Sequence, residues 1–225
     1  MLLHLNNISK GYGIPGSATW RPVLVNLQLK VEKGSTIGIV GPSGSGKTTL
    51  LNMAGALDRP DAGQILFGDQ DISRFNDQEL ARFRNRQIGF VFQQHHLLPQ
   101  CTLWENVLLP VLPNKNKVTS KDASWAEYLL KKTGIWDLRG QKPGEMSGGE
   151  CQRAAVVRAL INKPAMIFGD EPTGALDEKN ASNLTDLLFS LSREEGITLM
   201  LVTHSPELAS RLDIIYHLHN GNLSI

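Results

Sequence analysis

Gly41-Pro42-Ser43-Gly44-Ser45-Gly46-Lys47-Thr48 is a complete G-x-x-x-x-G-K-[ST] phosphate loop. The apolar run Thr36-Ile37-Gly38-Ile39-Val40 precedes it, and the helix-compatible stretch Thr49-Leu50-Leu51-Asn52-Met53-Ala54 follows. Strand, loop and helix in that order are the context in which the motif works. Its glycines let successive backbone N–H groups turn inward around a polyphosphate. The helix behind presents its positive N-terminal end to the same charge. Lys47 is expected to reach the β- and γ-phosphates, and the Thr48 hydroxyl to ligate Mg²⁺, with Thr49 completing the cradle. A Gly/Ser-rich loop without function is the bland alternative. At average composition the four fixed positions coincide by chance in roughly one per cent of chains of this length, and the flanking strand and helix make coincidence rarer. The sequence predicts a binder of nucleoside triphosphate and Mg²⁺.

Composition narrows the setting. A chain of 225 residues suits one domain, with or without a subdomain. Hydrophobic residues make up 41% and charged residues 20%, as in globular proteins rather than disordered ones. With 23 basic against 22 acidic residues the net charge is +1, and no basic run marks a nucleic-acid surface, so no nucleic-acid partner is expected. The longest apolar candidate for a membrane span, Leu97 to Pro113, carries Glu105 and three prolines. The start, Met1 to Lys10, is too short and polar for a signal peptide. Cys101 and Cys151 have neither metal-type nor disulfide-type spacing and read as free thiols in a reducing compartment. Adjacent His95 and His96 make a poor metal pair, because neighbouring residues rarely converge on one ion.

The first third reads as β-rich. Leu2–Leu5 and Leu24–Val31 alternate apolar and polar residues, residues 11–22 read as a Gly/Pro/Ser loop, and Gly63–Gly68 is a short strand bounded by glycines. Asn76 followed three residues later by Glu79 is a capping-box start to a helix. Strand character returns at Ile88–Phe92, and Trp104 to Ile161 is mostly helical, broken at Pro110, Pro113 and Pro143. Two further strands, Ala165–Phe168 and Thr198–Val202, flank a helix over Asn180–Arg193. Alternating strands and helices predict an α/β layer with a largely parallel sheet, interrupted by a mostly helical insert over residues 75–163.

Two further stretches carry chemistry. Phe168-Gly169-Asp170-Glu171 ends a buried-strand run in two carboxylates. Beside a phosphate loop, Asp170 suits Mg²⁺ held through water, and Glu171 suits an attacking water. A polar turn before Pro172 is the alternative. In Met146-Ser147-Gly148-Gly149-Glu150, Ser147 and Glu150 form a second capping box, opening a helix expected to run to Asn162. Two glycines in a first helical turn cost about 1 kcal/mol each relative to alanine. Close approach of a phosphate to bare N–H groups would explain them. Glu150, folded back to cap the backbone, would turn its charge away from that anion. The chain thus holds two anion-ready helix starts, where one triphosphate needs one.

The ordered set resembles an ATP-binding-cassette (ABC) ATPase over essentially the whole chain. Tyr12 looks like that family's adenine-stacking aromatic, with Trp20 as a rival; Gly41–Thr48 is its Walker A loop; Gln93 matches the Q-loop glutamine. Ser147-Gly148-Gly149-Glu150 matches the signature, Ala165–Glu171 the Walker B strand, Ala175-Leu176-Asp177 the D-loop and His204 the switch histidine. The signature departs from the family pattern at Met146, Glu150 and Cys151, while its Ser-Gly-Gly core is intact. The resemblance implies a P-loop NTPase core, α/β with a mixed, mainly parallel sheet and flanking helices, together with an N-terminal antiparallel β part and a helical subdomain. Residues 1–225 would form a single nucleotide-binding domain.

It also implies that two copies meet head to tail as a homodimer. ATP would lie between Walker A of one and Ser147–Glu150 of the other, and Asp177 would touch the neighbour. Gln93 would ligate Mg²⁺ and sense the γ-phosphate. Glu171, His204 and Lys47 would carry catalysis. The helical subdomain would grip an integral membrane permease, placing the chain on the cytoplasmic face of the inner membrane. Gly89–Gln93 with Thr102–Val107, Leu57–Gly63, and the Thr-Gly within Asp170–Asp177 resemble the branch represented by LolD, MacB and FtsE. That branch implies extraction or export, with lipoproteins among the cargoes and efflux or cell-division regulation as alternatives. A soluble ABC ATPase acting on DNA or ribosomes is the rival class.

Overall fold

The computed structural model describes residues 1–14, 16–115 and 117–225, the side chains of residues 114 and 115 excepted. Along the chain run β1 (Leu3–Tyr12), β2 (Arg21–Val31), β3 (Thr36–Val40), α1 (Lys47–Ala54), β4 (Ala62–Phe67), β5 (Gln70–Asp71) and α2 (Asp77–Gln87). Next come β6 (Ile88–Phe92), α3 (Leu103–Leu108), α4 (Leu112–Lys115), α5 (Ser120–Lys132), α6 (Gly148–Leu160), β7 (Met166–Asp170) and α7 (Glu178–Glu195). The chain closes with β8 (Thr198–Val202), α8 (Pro206–Ala209), β9 (Ile214–His219) and β10 (Asn222–Ser224). Two compact units emerge, Met1–Arg84 with Thr198–Ile225, and Asn85–Ile197.

In the first unit β2, β1, β4 and β5 form an antiparallel sheet in that order. β1 is longer than the alternation over Leu2–Leu5 suggests, and strand structure claims both ends of the expected loop at residues 11–22, with Tyr12 paired to Arg21. The cause is a series of register slips between Leu5 and Gly11, with Asn7 and Asn26 at φ of 53° and 49°. Bulges shift the side-chain alternation, so a period of two breaks down while the strand continues. A second ladder sets β3 parallel to both β8 and β9, and β10 returns antiparallel to β9 through Asn220-Gly221. All five residues of β8 and the first four of β3 are buried, as strands covered on both faces require.

The second unit is built around β6 and β7, parallel, with Phe92 opposite Asp170 at the C-terminal end of the ladder. α6 packs closely on β6: a Cβ added at Gly89 would lie 2.6 Å from the carbonyl oxygen of Ala159. α3 and α5 pack in turn on each other and on α6, burying Leu103, Val107, Leu129 and Leu130. Each such leucine contributes roughly 1.5–3 kcal/mol by leaving water. α6 ends at Leu160, two residues short of the expected Asn162, with Ile161 as its C-cap. α7 is capped by Asp177 and stops at Gly196, whose φ of 66° is the left-handed geometry that ends helices. The parallel ladders with flanking helices are the α/β core that the alternation of elements predicts.

Candidate functional site

The first unit holds Tyr12, residues 41–49 and His204; the second holds Gln93, Ser147–Glu150, Asp170, Glu171 and Asp177. The phosphate loop links β3 to α1, as its flanks predict. Gly46 is the N-cap of α1, with a φ of 100° that strains any side-chain-bearing residue, and an added Cβ would lie 2.7 Å from Val23 Cγ1. No side chain caps α1, and no acidic residue lies in its first turn, so the helix start presents backbone N–H groups and positive potential together. Lys47 is 6% exposed, and its ammonium donates to the carbonyl oxygens of Gly41 and Pro42, each at 2.9 Å. Ser45 Oγ is buried without a hydrogen-bond partner among the described residues. A buried hydroxyl without a partner is a group that a ligand oxygen would complete. Thr48 is exposed beside it.

Tyr12, at the end of β1, is 47% exposed. Its hydroxyl lies 3.4 Å from Asp58 Oδ2, and Lys10, itself 3.0 Å from Asp58 Oδ1, stands 5.5 Å from the ring centroid. The Trp20 ring lies across Gly11, where an added Cβ would be 2.3 Å from it. Trp20 is thus packed against β1, and Tyr12 is the aromatic with a face to offer. His204 follows β8 and is exposed, not the buried histidine that a strand end often carries.

In the second unit Asp170 ends β7 and Glu171 starts the turn after it. Glu171 has a φ of 48°, the left-handed region that non-glycine residues enter at a cost of order 1–3 kcal/mol. The turn is closed by Gly174 N donating to Glu171 O at 2.9 Å. A Cβ added at Gly174 would meet Gln93 Nε2 at 3.1 Å and Glu171 Oε2 at 3.3 Å, so these two side chains converge on that glycine. Gln93 itself is exposed, directly after β6.

Ser147 is the N-cap of α6, and its box with Glu150 is complete. Ser147 Oγ accepts from Glu150 N at 3.3 Å, while the Glu150 carboxylate accepts from Ser147 N and Ser147 Oγ, both at 2.7 Å. Those two bonds, the backbone one first, hold the Glu150 carboxyl below the usual glutamate range. The two glycines differ. Gly148 has open space where a Cβ would stand, but Gly149 is buried and an added Cβ would be 3.1 Å from Asn180 Oδ1. Phosphate approach is therefore not the only reason for the pair: packing against α7 already accounts for Gly149. Asn180 in turn donates from its backbone N and Nδ2 to Asp177, the N-cap of α7, at 2.9 and 2.7 Å. The same contacts, with the backbone N–H leading, lower the Asp177 carboxyl.

Three polar side chains outside any motif organise this unit. Gln152 on α6, 3% exposed, donates from Nε2 to Phe92 O at 2.6 Å and to Pro172 O at 2.8 Å. Arg158, also on α6, donates to the carbonyls of His95 and His96 at 2.7 and 2.6 Å. Asn180 is the third. A polar residue on the buried face of a helix was the available signal for Gln152. His95 Nδ1 accepts from Leu97 N at 3.1 Å, and burial, then Arg158 and His96, lower its affinity for a second proton.

Residues 24–174 match the family model described as ABC transporter. The lipoprotein-releasing system ATP-binding protein LolD of Geobacter metallireducens is 45% identical over 222 residues, 99% of this chain and 97% of that protein. An uncharacterised ABC transporter ATP-binding protein of Bacillus subtilis, YvrO, is 44% identical over 99% of this chain and 95% of its own. Among solved structures, the ATP-binding cassette MJ0796, a dimer in a post-hydrolysis state bound to ADP and Pi, superposes with a TM-score of 0.90. It is 36% identical, the match covering 100% of this chain and 97% of that one.

Proposed function

This chain belongs to the ABC transporter family as an ATP-hydrolysing motor subunit, and on that premise we propose that it powers release of lipoproteins from a membrane as a homodimer. Each ATP is clasped by the Lys47-bearing loop of one copy and the Ser147–Glu150 helix tip of the other. Tyr12 stacks on the adenine, and residues 41–49 wrap the phosphates with backbone N–H groups. Gly148, open on its Cβ side, is the approach point for the partner's γ-phosphate. Asp177 faces the second copy.

Thr48, Gln93 and, through water, Asp170 are the residues that would hold Mg²⁺. They offer a hydroxyl, an amide oxygen and a carboxylate, the hard oxygen donors this ion takes. Mg²⁺, when bound, neutralises charge on the phosphate oxygens. Glu171 orients water for in-line attack, and Lys47 and His204 stabilise the negative charge that spreads in the transition state. The observation that carries the hydrolytic assignment is the convergence of Gln93 and Glu171 on Gly174, with Glu171 in a backbone conformation that costs free energy. Such strain concentrates where chemistry demands a fixed carboxylate.

No described helix is long and apolar enough to cross a membrane. An integral membrane permease is gripped by the helical segment after Gln93, at the cytoplasmic face of the inner membrane. Kinship with LolD supports the cargo. Two measurements test these assignments. Glu171→Gln should bind ATP, accumulate as a closed dimer and lose about a hundredfold or more in turnover; ordinary turnover by that variant removes the catalytic assignment. Affinity capture from solubilised membranes should bring down an integral membrane subunit, and depletion of the chain should strand lipoproteins in the membrane. Co-purifying nucleic acid would favour the soluble rival, and unaltered lipoprotein sorting would leave efflux or cell-division control.

A further inference from the structure

The ladder between β6 and β7 ends at Phe92 and Asp170, and one residue beyond those ends come Gln93 and Glu171. Past the last rung no ladder hydrogen bond fixes the distance between the two segments. Gln152 spans this gap. Its amide nitrogen donates to Phe92 O, one residue before Gln93, at 2.6 Å and to Pro172 O, one residue after Glu171, at 2.8 Å. Gln152 is 3% exposed, so water cannot replace it there without repacking. We propose that Gln152 is a positioning residue for hydrolysis, an added side-chain rung that sets Gln93 against Glu171. The inference rests on the roles assigned above to those two residues.

Three features favour positioning over simple cohesion. Both acceptors flank a functional side chain directly, so a shift of either carbonyl is passed to its neighbour. Glu171 sits in the left-handed region and needs its surroundings to hold it there. Gln93 Nε2 and Glu171 Oε2 already crowd the same glycine, so their spacing has little slack. Gln152 also rides on the helix whose tip is Ser147-Gly148. Engagement of that tip by a second copy's nucleotide would reach the hydrolytic pair of its own copy through one rigid element.

Three variants of the full chain, assayed for phosphate release and nucleotide binding, test this. Gln152→Met keeps the shape and removes the donors. Leaving two buried carbonyls unpaired should lower kcat by about tenfold or more, with ATP affinity within about twofold because the phosphate-binding loop is untouched. Gln152→Lys restores donors to both carbonyls and should recover kcat to within a few-fold. Should the methionine variant not fold, Gln152→Ala carries the same comparison. A donor-free variant with kcat within twofold of the parent overturns the proposal. So does a donor-free variant whose ATP affinity and melting temperature fall along with kcat, with no recovery in Gln152→Lys. Glu171→Gln is run alongside. Loss of turnover there with full turnover in Gln152→Met refutes only this inference, whereas ordinary turnover in Glu171→Gln refutes the reading beneath it.

Discussion

Gly174→Ala is a test in which stability and activity should move in opposite directions. The new Cβ would stand 3.1 Å from Gln93 Nε2 and 3.3 Å from Glu171 Oε2. Unstrained contacts of this kind begin at about 3.5 Å, so the amide must retreat by about 0.4 Å and the carboxylate by about 0.2 Å. A misplacement of 1 Å in a catalytic group can cost about a hundredfold. Scaled logarithmically, the glutamine's shift alone gives about sixfold in kcat, and both together about fifteenfold. Folding should not suffer. Gly174 is exposed and its φ lies in the range open to any residue, where Gly→Ala stabilises by about 0.4–1 kcal/mol through the unfolded chain. Phosphate release at saturating ATP and a thermal melt suffice. The expected result is slower turnover, an unchanged KM for ATP and a melting temperature equal to or above the parent's. Turnover within about 1.5-fold of the parent would show that Gln93 and Glu171 do not need the spacing seen here.

Tyr12→Ala should weaken ATP binding by about ten- to a hundredfold, the value of one base–aromatic stack, while kcat at saturation holds. If Trp20→Ala weakens binding instead and Tyr12→Ala does not, the packing of Trp20 over Gly11 has been misjudged as its main task. Glu150→Gln bears on acid stability. A carboxyl whose folded-state pKa is depressed contributes stability that is present above its unfolded value, ordinarily 4.5, and lost as pH falls through the lower folded value. Melting curves of Glu150→Gln should therefore be flatter than the parent's below about pH 4.5, because a glutamine cap does not titrate. An identical acid limb in both proteins would mean that Glu150 is not held by Ser147 in solution.

Where local rules and the tertiary structure agree, this protein can be read from its residues. The phosphate loop, the buried parallel strands, both capping boxes and the long helix closed at Gly196 all carry their signals within a few positions. β9 and β10 are less legible, because His217 and His219 break up the apolar pattern that marks a strand. β1 and β2 were truncated because bulges at Asn7 and Asn26 move the alternation out of phase. At the site, motif order picked out the candidate residues, whereas the contacts around them were invisible. Nothing local says that Gly149 must make room for Asn180, since the two meet only when α6 and α7 pack. Nor does sequence reveal the left-handed turn at Glu171, a residue type that favours that region little. Gln152 lies in the same class, a lone amide whose partners are 60 and 20 positions away along the chain.

Glu171 occupies a backbone state that asparagine or glycine would fill with less effort, and it does so next to Pro172, which restricts it further. Selection of this protein for heat tolerance alone, with turnover left unmonitored, should therefore drift toward those residues at position 171. The survivors would be sturdier molecules that grip nucleotide and never spend it.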